Sequence, residues 1–196
     1  MSLALDLLRH GDTAAVGFRG RSDDALSELG WQQMRAATAH FGPWGYVLSS
    51  PLRRCAEFAR EIARERGIPC TTDARLVELD FGAWEGKTND QLMSSDDAAL
   101  QAFWRDPWAY APTGGEPLPQ MAARVFEALA ELAQGSAQGR GLVVTHGGVI
   151  RLFLARARGL PFARLAEISV GHAQVFSLRV TASRGEFQMS EAAGQG

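Results

Sequence analysis

Short apolar runs that stop abruptly at charged or glycine-containing turns recur along this chain. Most are followed by stretches with apolar residues every three or four positions. Residues 3–8 form the first run and read as a buried strand. After a loop over residues 14–25, Ser27 is placed to cap a helix reaching residue 41. Met34, Thr38 and Phe41 share one face of that helix, and Gly42-Pro43 stops it. Residues 46–49 read as a second strand. Ser50-Pro51 opens the next helix, since proline suits a first turn; Leu52, Cys55, Ala59, Ile62 and Ala63 make its inner stripe and Gly67 ends it. Strands alternating with helices predict an α/β fold.

Residues 71–121 are less regular and rich in aromatics, with Trp84, Phe103, Trp104, Trp108 and Tyr110 among prolines and glycines. Regular patterning resumes with a helix over residues 119–133, where Met121, Val125, Leu129 and Leu132 face inward. Residues 142–145 are another buried strand, followed by His146-Gly147-Gly148 and a helix over residues 149–158 that Gly159 ends. Residues 174–180 and 186–190 alternate as an antiparallel pair around a turn at 183–185, and residues 191–196 read as a frayed tail. No repeat or linker interrupts the chain, so residues 1–190 are expected to form one domain, with 86–121 as a lid-like insertion.

Composition changes this picture little. The chain has 196 residues, 46% of them hydrophobic, and a formal charge of −2, which gives no electrostatic case for nucleic acid or an anionic membrane. An anion site must then be a local cluster. No run approaches the ~20 apolar residues of a membrane span, and no signal-peptide layout opens the chain, so a cytoplasmic protein is expected. Cys55 and Cys70 are too few for a disulfide framework.

The chemistry gathers at strand ends. Arg9-His10-Gly11 follows the first strand, Ser49-Ser50-Pro51 with Arg53 and Arg54 the second, and His146-Gly147-Gly148 the later one. Arginine offers a planar fork of donors suited to phosphate, and histidine can act as a nucleophile near neutral pH. Cations in a first helical turn oppose the helix dipole unless an anion sits there too. Three such tips at parallel strand ends point to a pocket for one phosphoryl group. A metal site fits poorly, because the spacings are not those of zinc and the arginines would repel a cation. His40 reads as a surface or capping residue, His172 as structural unless it borders the pocket, and Cys55 as core.

These segments resemble the histidine phosphatase superfamily, in its phosphoglycerate mutase-like branch. Leu8-Arg9-His10-Gly11-Asp12-Thr13 is similar to the family's opening signature. Ser50-Pro51-Leu52-Arg53-Arg54 is similar to its S-P-L-x-R element, Leu76-Val77-Glu78 with residues 81–86 to its acid-bearing segment, and Thr145-His146-Gly147-Gly148 to its second histidine motif. The resemblance implies a three-layer α/β/α sandwich with a mostly parallel central sheet and an antiparallel edge strand. It implies His10 as nucleophile, and Glu78 as proton donor and then acceptor, with Asp80 and Glu85 as competing acids. Arg9, Arg54, His146 and Gly147 would bind the phosphate, and no metal or other cofactor is expected. Where the family often has Trp-Asn the chain reads Ala14-Ala15-Val16, so Arg19 and Arg21 are taken as substrate-binding.

Within that superfamily, residues 18–26 and 30–34 resemble most the bacterial α-ribazole phosphatases of cobalamin biosynthesis. Between Gly86 and Met121 the cations are Lys87 and Arg105, against Asp90, Asp96, Asp97, Asp106 and Glu116, which predicts a leaving group of low charge. Trp104 and Trp108 are candidate walls for its ring. A small-molecule phosphate ester is the expected partner, with no nucleic acid, no membrane, and a homodimer left open. The alternatives are a broad-specificity phosphatase, a cofactor-dependent phosphoglycerate mutase, or a non-catalytic phosphate-binding module.

Overall fold

A computed structural model describes residues 2–135, 139–183 and 186–192. Six strands form one sheet in the order β3-β2-β4-β1-β5-β6: β1 (Ser2–Arg9), β2 (Tyr46–Ser49), β3 (Cys70–Thr72), β4 (Arg140–Thr145), β5 (Val175–Ser183) and β6 (Glu186–Glu191). The first four in that order are parallel, and β5 runs antiparallel to both β1 and β6. The expected antiparallel strand therefore lies one in from the edge, because the hairpin adds two strands and β6 takes the outer place. The turn residues 184 and 185 and the tail residues 193–196 lie outside the described residues; Glu191, expected in the tail, still pairs within β6.

Alternation along β1 and β4 sends side chains to both faces. Leu3, Leu5, Leu7 and Val143 pack with α5 (Leu118–Gln134) and α6 (Gly147–Arg158). Leu8, Leu142 and Val144 pack with α1 (Glu28–Thr38) and α2 (Arg53–Arg66). The sheet is thereby covered on both sides, as parallel strands require. Asp6 points into the second face, where Trp44 Nε1 donates to it at 2.8 Å, Arg140 at 2.6 Å and Ser177 Oγ at 2.6 Å, so this buried carboxylate is fully satisfied.

Several boundaries differ from expectation for local reasons. α1 does begin at an Ser27 cap, which accepts from Gly30 N at 3.0 Å, but it ends at Thr38 rather than 41, where the Thr38 hydroxyl bonds back to Met34 O at 2.8 Å. Pro51 stands before the helix, and Leu52 is the N-cap of α2. α6 starts at Gly147, two residues early, directly after the His146 cap. The irregular region contains α3 (Asn89–Ser95) and α4 (Asp97–Arg105), which the apolar pattern did not reveal. α3 carries a Thr88–Gln91 capping box, the local signal that marks its start. Beneath these helices Trp84, Leu92, Leu100 and Phe103 are buried, and Trp84 Nε1 donates to Asp96 at 2.9 Å. None of the described helices is long and apolar enough to cross a membrane.

Candidate active site

The register of the parallel strands brings the two histidine motifs together. Arg9 pairs with Thr145, so the next residues, His10 and His146, emerge side by side; Ser49 pairs with Val144, which sets Ser50 beside them. Backbone bonds continue one residue past the strands, from His10 N to Thr145 O at 3.0 Å and from Ser50 N to Val144 O at 2.9 Å. The two imidazoles meet edge to face with centroids 5.3 Å apart. Strand ends of an open α/β sheet are where such folds hold ligands.

His10 is buried, and its Nδ1 lies 2.8 Å from the carbonyl of Gly11. A carbonyl only accepts, so Nδ1 holds the proton and Nε2 keeps its lone pair. Burial, with help from Arg54 and Arg9, pushes the His10 imidazole down to about 3, which keeps it neutral near pH 7. Gly11 itself serves packing: a Cβ there would lie 2.4 Å from Gly30 O, so the loop rests on α1.

His146 is fully buried, and burial first and Arg54 second hold it well below the ordinary histidine range. Arg54 Nε approaches its Nδ1 at 3.3 Å, leaving Nε2 as the protonated nitrogen, 2.7 Å from Ser50 Oγ. Arg54 is also fully buried. It donates to Gly20 O at 2.7 Å, to Arg19 O at 3.3 Å and to Ser22 O. The neighbouring Arg53 is exposed and pairs with Glu57 at 2.8 Å one turn on. Arg9 reaches Val170 O through one terminal nitrogen at 2.7 Å, while its buried Nε has no partner among the described residues. An orphaned buried donor beside the His10 ring is a place for an anionic oxygen.

Glu78 completes the group at the N-terminus of α6. Its carboxylate accepts from Gly148 N at 3.0 Å and Leu79 N at 3.0 Å, and it is buried. A helix N-terminus favours an anion. Of the competing acids, Glu85 spends both oxygens on Gly20 N, Arg21 N and the Ser22 hydroxyl, which shapes the loop whose carbonyls hold Arg54. Asp80 accepts from Gly82 N at 2.8 Å in its own turn. Arg124, which the sequence reading passed over, donates to the carbonyls of Arg75, Val77 and Glu78 and so fixes the segment that carries the acid.

Not every expected residue joins the site. Arg19 forms an ion pair with Asp24, and Arg21 lies 3.3 Å from Glu116, so carboxylates already occupy both guanidinium groups. Trp108 stacks on Phe162 with centroids 4.8 Å apart. Trp104, about half exposed, does line a cleft of about 80 Å3 that opens beside Glu78, with Phe81, Met121 and Leu165. One residue left open and one not expected also arrive. His172 is exposed and lies 5.6 Å from the His10 ring. Arg151 of α6 enters the cleft wall, four residues after Gly147 and so on the same helical face; that spacing was the available signal.

Comparison with known proteins agrees with this arrangement. Residues 5–192 match the family model described as Histidine phosphatase superfamily (branch 1). A glucosyl-3-phosphoglycerate phosphatase of Mycobacterium tuberculosis is 35% identical over 172 residues, 81% of this chain and 77% of that protein. An adenosylcobalamin/alpha-ribazole phosphatase of Escherichia coli is 32% identical over 165 residues, 81% of each. A bifunctional protein of Mycobacterium tuberculosis is 35% identical over 157 residues, and there the chain spans only 43% of the relative's length. The solved structure of the mycobacterial glucosyl-3-phosphoglycerate phosphatase superposes with a TM-score of 0.86 at 31% identity, covering 97% of both chains. The solved structure of a putative alpha-ribazole-5'-P phosphatase from Escherichia coli gives 0.83 at 26%, covering 98% of this chain and 97% of the other. The chain belongs to the histidine phosphatase superfamily, branch 1.

Proposed function

We propose that this histidine phosphatase hydrolyses a phosphate monoester of a ring-bearing alcohol through a phosphohistidine at His10. The observation that carries the reading is the neutral His10 imidazole, held by Gly11 O with its Nε2 lone pair free, beside an unpartnered Arg9 donor and the buried Arg54–His146 pair. Nε2 attacks phosphorus in line and the P–O bond to the alcohol breaks. Glu78 delivers its proton to the departing oxygen. Arg9, Arg54, the His146 Nε2–H and the Gly147 N–H hold the equatorial oxygens and offset their charge. Glu78 then takes a proton from water, which attacks phosphorus; the P–N bond breaks, and phosphate leaves a neutral His10.

For the alcohol, the apolar walls of the cleft beside Glu78 support a flat or ring-shaped body, and α-ribazole 5'-phosphate, an intermediate of cobalamin biosynthesis, has one. A glucosyl-3-phosphoglycerate is the second reading, and the Arg151 guanidinium in the same wall favours it. The 86–121 segment acts as the lid over this cleft. Radiolabelled substrate quenched into alkali should trap a phosphoenzyme in the wild type and none in His10→Ala. His10→Ala should also lose at least about 10³-fold in kcat. Undiminished turnover in that variant would remove His10 from the nucleophile's role. A hydrolysis panel of α-ribazole phosphate, glucosyl-3-phosphoglycerate, 3-phosphoglycerate and sugar phosphates, with phosphate release measured, ranks the alcohols.

A further inference from the structure

Arg151 is one of the arginines for which no carboxylate partner is found among the described residues. Nine arginines, Arg19, Arg21, Arg35, Arg53, Arg75, Arg124, Arg140, Arg158 and Arg164, have a carboxylate within 4.0 Å. Arg9, Arg54 and Arg151, which surround the strand tips, have none among the described residues and are held by neutral groups instead. Arg9 donates to Val170 O at 2.7 Å and Arg151 Nε to Ile168 O at 2.8 Å, so one short segment pins two guanidinium groups beside each other. Both flank the first residue of α6. A Cβ on Gly147 would come within 3.1 Å of an Arg151 terminal nitrogen and 3.5 Å of Arg9 Nε. Burial pushes the Arg9 guanidinium down, with the Glu78 carboxylate opposing and Arg151 adding to the shift. Two neighbouring guanidinium groups make a local positive field that favours an anionic ligand.

The phosphoryl group accounts for Arg9, which adjoins His10. Arg151, beside Arg9 at Gly147, also borders the neighbouring cleft. Its side chain lines the cleft beside Glu78, where the alcohol portion of the ester must lie if Glu78 is to protonate the bridging oxygen. Apart from Glu78 the wall around it is largely apolar, with Phe81, Trp104, Met121 and Leu165, and Arg151 is the cationic residue among the described residues that line it. Charge counted along the lid segment alone misses it, because Arg151 comes from α6. We infer that Arg151 is a specificity-determining residue that binds a carboxylate on the leaving alcohol, so that esters with a carboxylate close to the phosphoester, the second of the two proposed substrate readings, are preferred over α-ribazole 5'-phosphate. The inference rests on the placement of the alcohol beside Glu78 in the proposed mechanism. A planar carboxylate suits the guanidinium fork, whereas an uncharged alcohol leaves it unmatched.

The test is a matched pair of esters, 3-phosphoglycerate and glycerol 3-phosphate, which share a three-carbon skeleton and differ in a carboxylate. The wild type should favour the carboxylated member in kcat/KM by about tenfold or more, the effect of one charge-assisted hydrogen bond. Arg151→Gln should bring that ratio to near one, mainly through KM, and Arg151→Lys should keep part of it. The ratio is internal to each protein, so a poorly folded fraction does not alter it. A wild type that hydrolyses both esters equally overturns the inference and leaves the phosphatase mechanism standing. So does an Arg151→Gln variant that loses the same factor on both esters, which would place Arg151 on the phosphoryl group. Absence of a phosphoenzyme with either ester would instead overturn the His10 mechanism, and this inference with it.

Discussion

Arg54 Nε points at Nδ1 of His146 across 3.3 Å, and both side chains are fully buried. A guanidinium nitrogen only donates, so the contact selects one tautomer of His146 and turns its Nε2–H away from Arg54. The same arginine grips the carbonyls of Gly20 and Ser22, so the loop after β1, the start of α2 and the start of α6 are joined through one side chain. Arg54→Lys keeps the charge and loses the fork. It should lower kcat/KM by about 10²-fold or more, as when an oriented donor is removed from a transition state. Steady-state kinetics with p-nitrophenyl phosphate check this, and full activity in the lysine variant would mean that charge alone suffices.

Glu78→Gln should slow the release of poor leaving groups most. A positioned proton donor contributes typically 10²–10⁴-fold, and that help is needed least when the departing oxygen is already stable as an anion. Alkyl phosphates should therefore lose about 10²-fold or more, and p-nitrophenyl phosphate much less. An equal loss on both would assign proton donation to another group.

Gly148→Ala tests the acid's placement without touching its chemistry. An added Cβ would lie 2.3 Å from Glu78 Oε1, so the carboxylate must move. Displacements of about 1 Å in a reacting group cost up to about 10²-fold in rate. The variant should lose roughly that in kcat on alkyl phosphates while keeping phosphate affinity, measured by product inhibition. Unchanged kcat would show that Glu78 tolerates the shift.

Acid stability follows from the buried imidazole. His10 is pushed down to about 3 from 6.5, with burial the largest cause. Between those values the unfolded chain binds a proton that the folded state refuses, so stability falls as pH drops below about 6.5. One such group contributes at most about 1.4 kcal/mol per pH unit. Chemical denaturation at several pH values should give a shallower decline for His10→Asn than for the wild type over this range. Identical slopes would mean that His10 is protonated within the fold.

Much of this protein was legible from local pattern. The apolar runs at residues 3–8, 46–49 and 142–145 are strands, because buried parallel strands need apolar side chains on both faces. Gly67 and Gly159 end α2 and α6 with positive φ, where glycine is favoured. The edge strand β3 and the helices α3 and α4 escaped notice, since β3 spans only three partly exposed residues and the helices bury few side chains each.

The candidate site divides along the same line. His10 and His146 could be picked out because each sits where an unusual residue type follows a strand end, whereas Glu78, and Arg54 over Arg53, came from the resemblance of their segments to the histidine phosphatase motifs. Register and topology then decide what lies beside what: Arg9 opposite Thr145 sets the two imidazoles together, and no property of either segment alone contains that pairing. The fates of Arg19 and Arg21, taken up by Asp24 and Glu116, depend on carboxylates 5 and 95 residues away. Arg151 reaches the cleft because α6 starts at the same strand tip as His146. The sequence by itself determined the strands and helices and which reactive residue types stand at their ends, through local residue types and periodicity. The tertiary structure alone decided which guanidinium groups stay free for an anion, because that depends on contacts between segments distant along the chain.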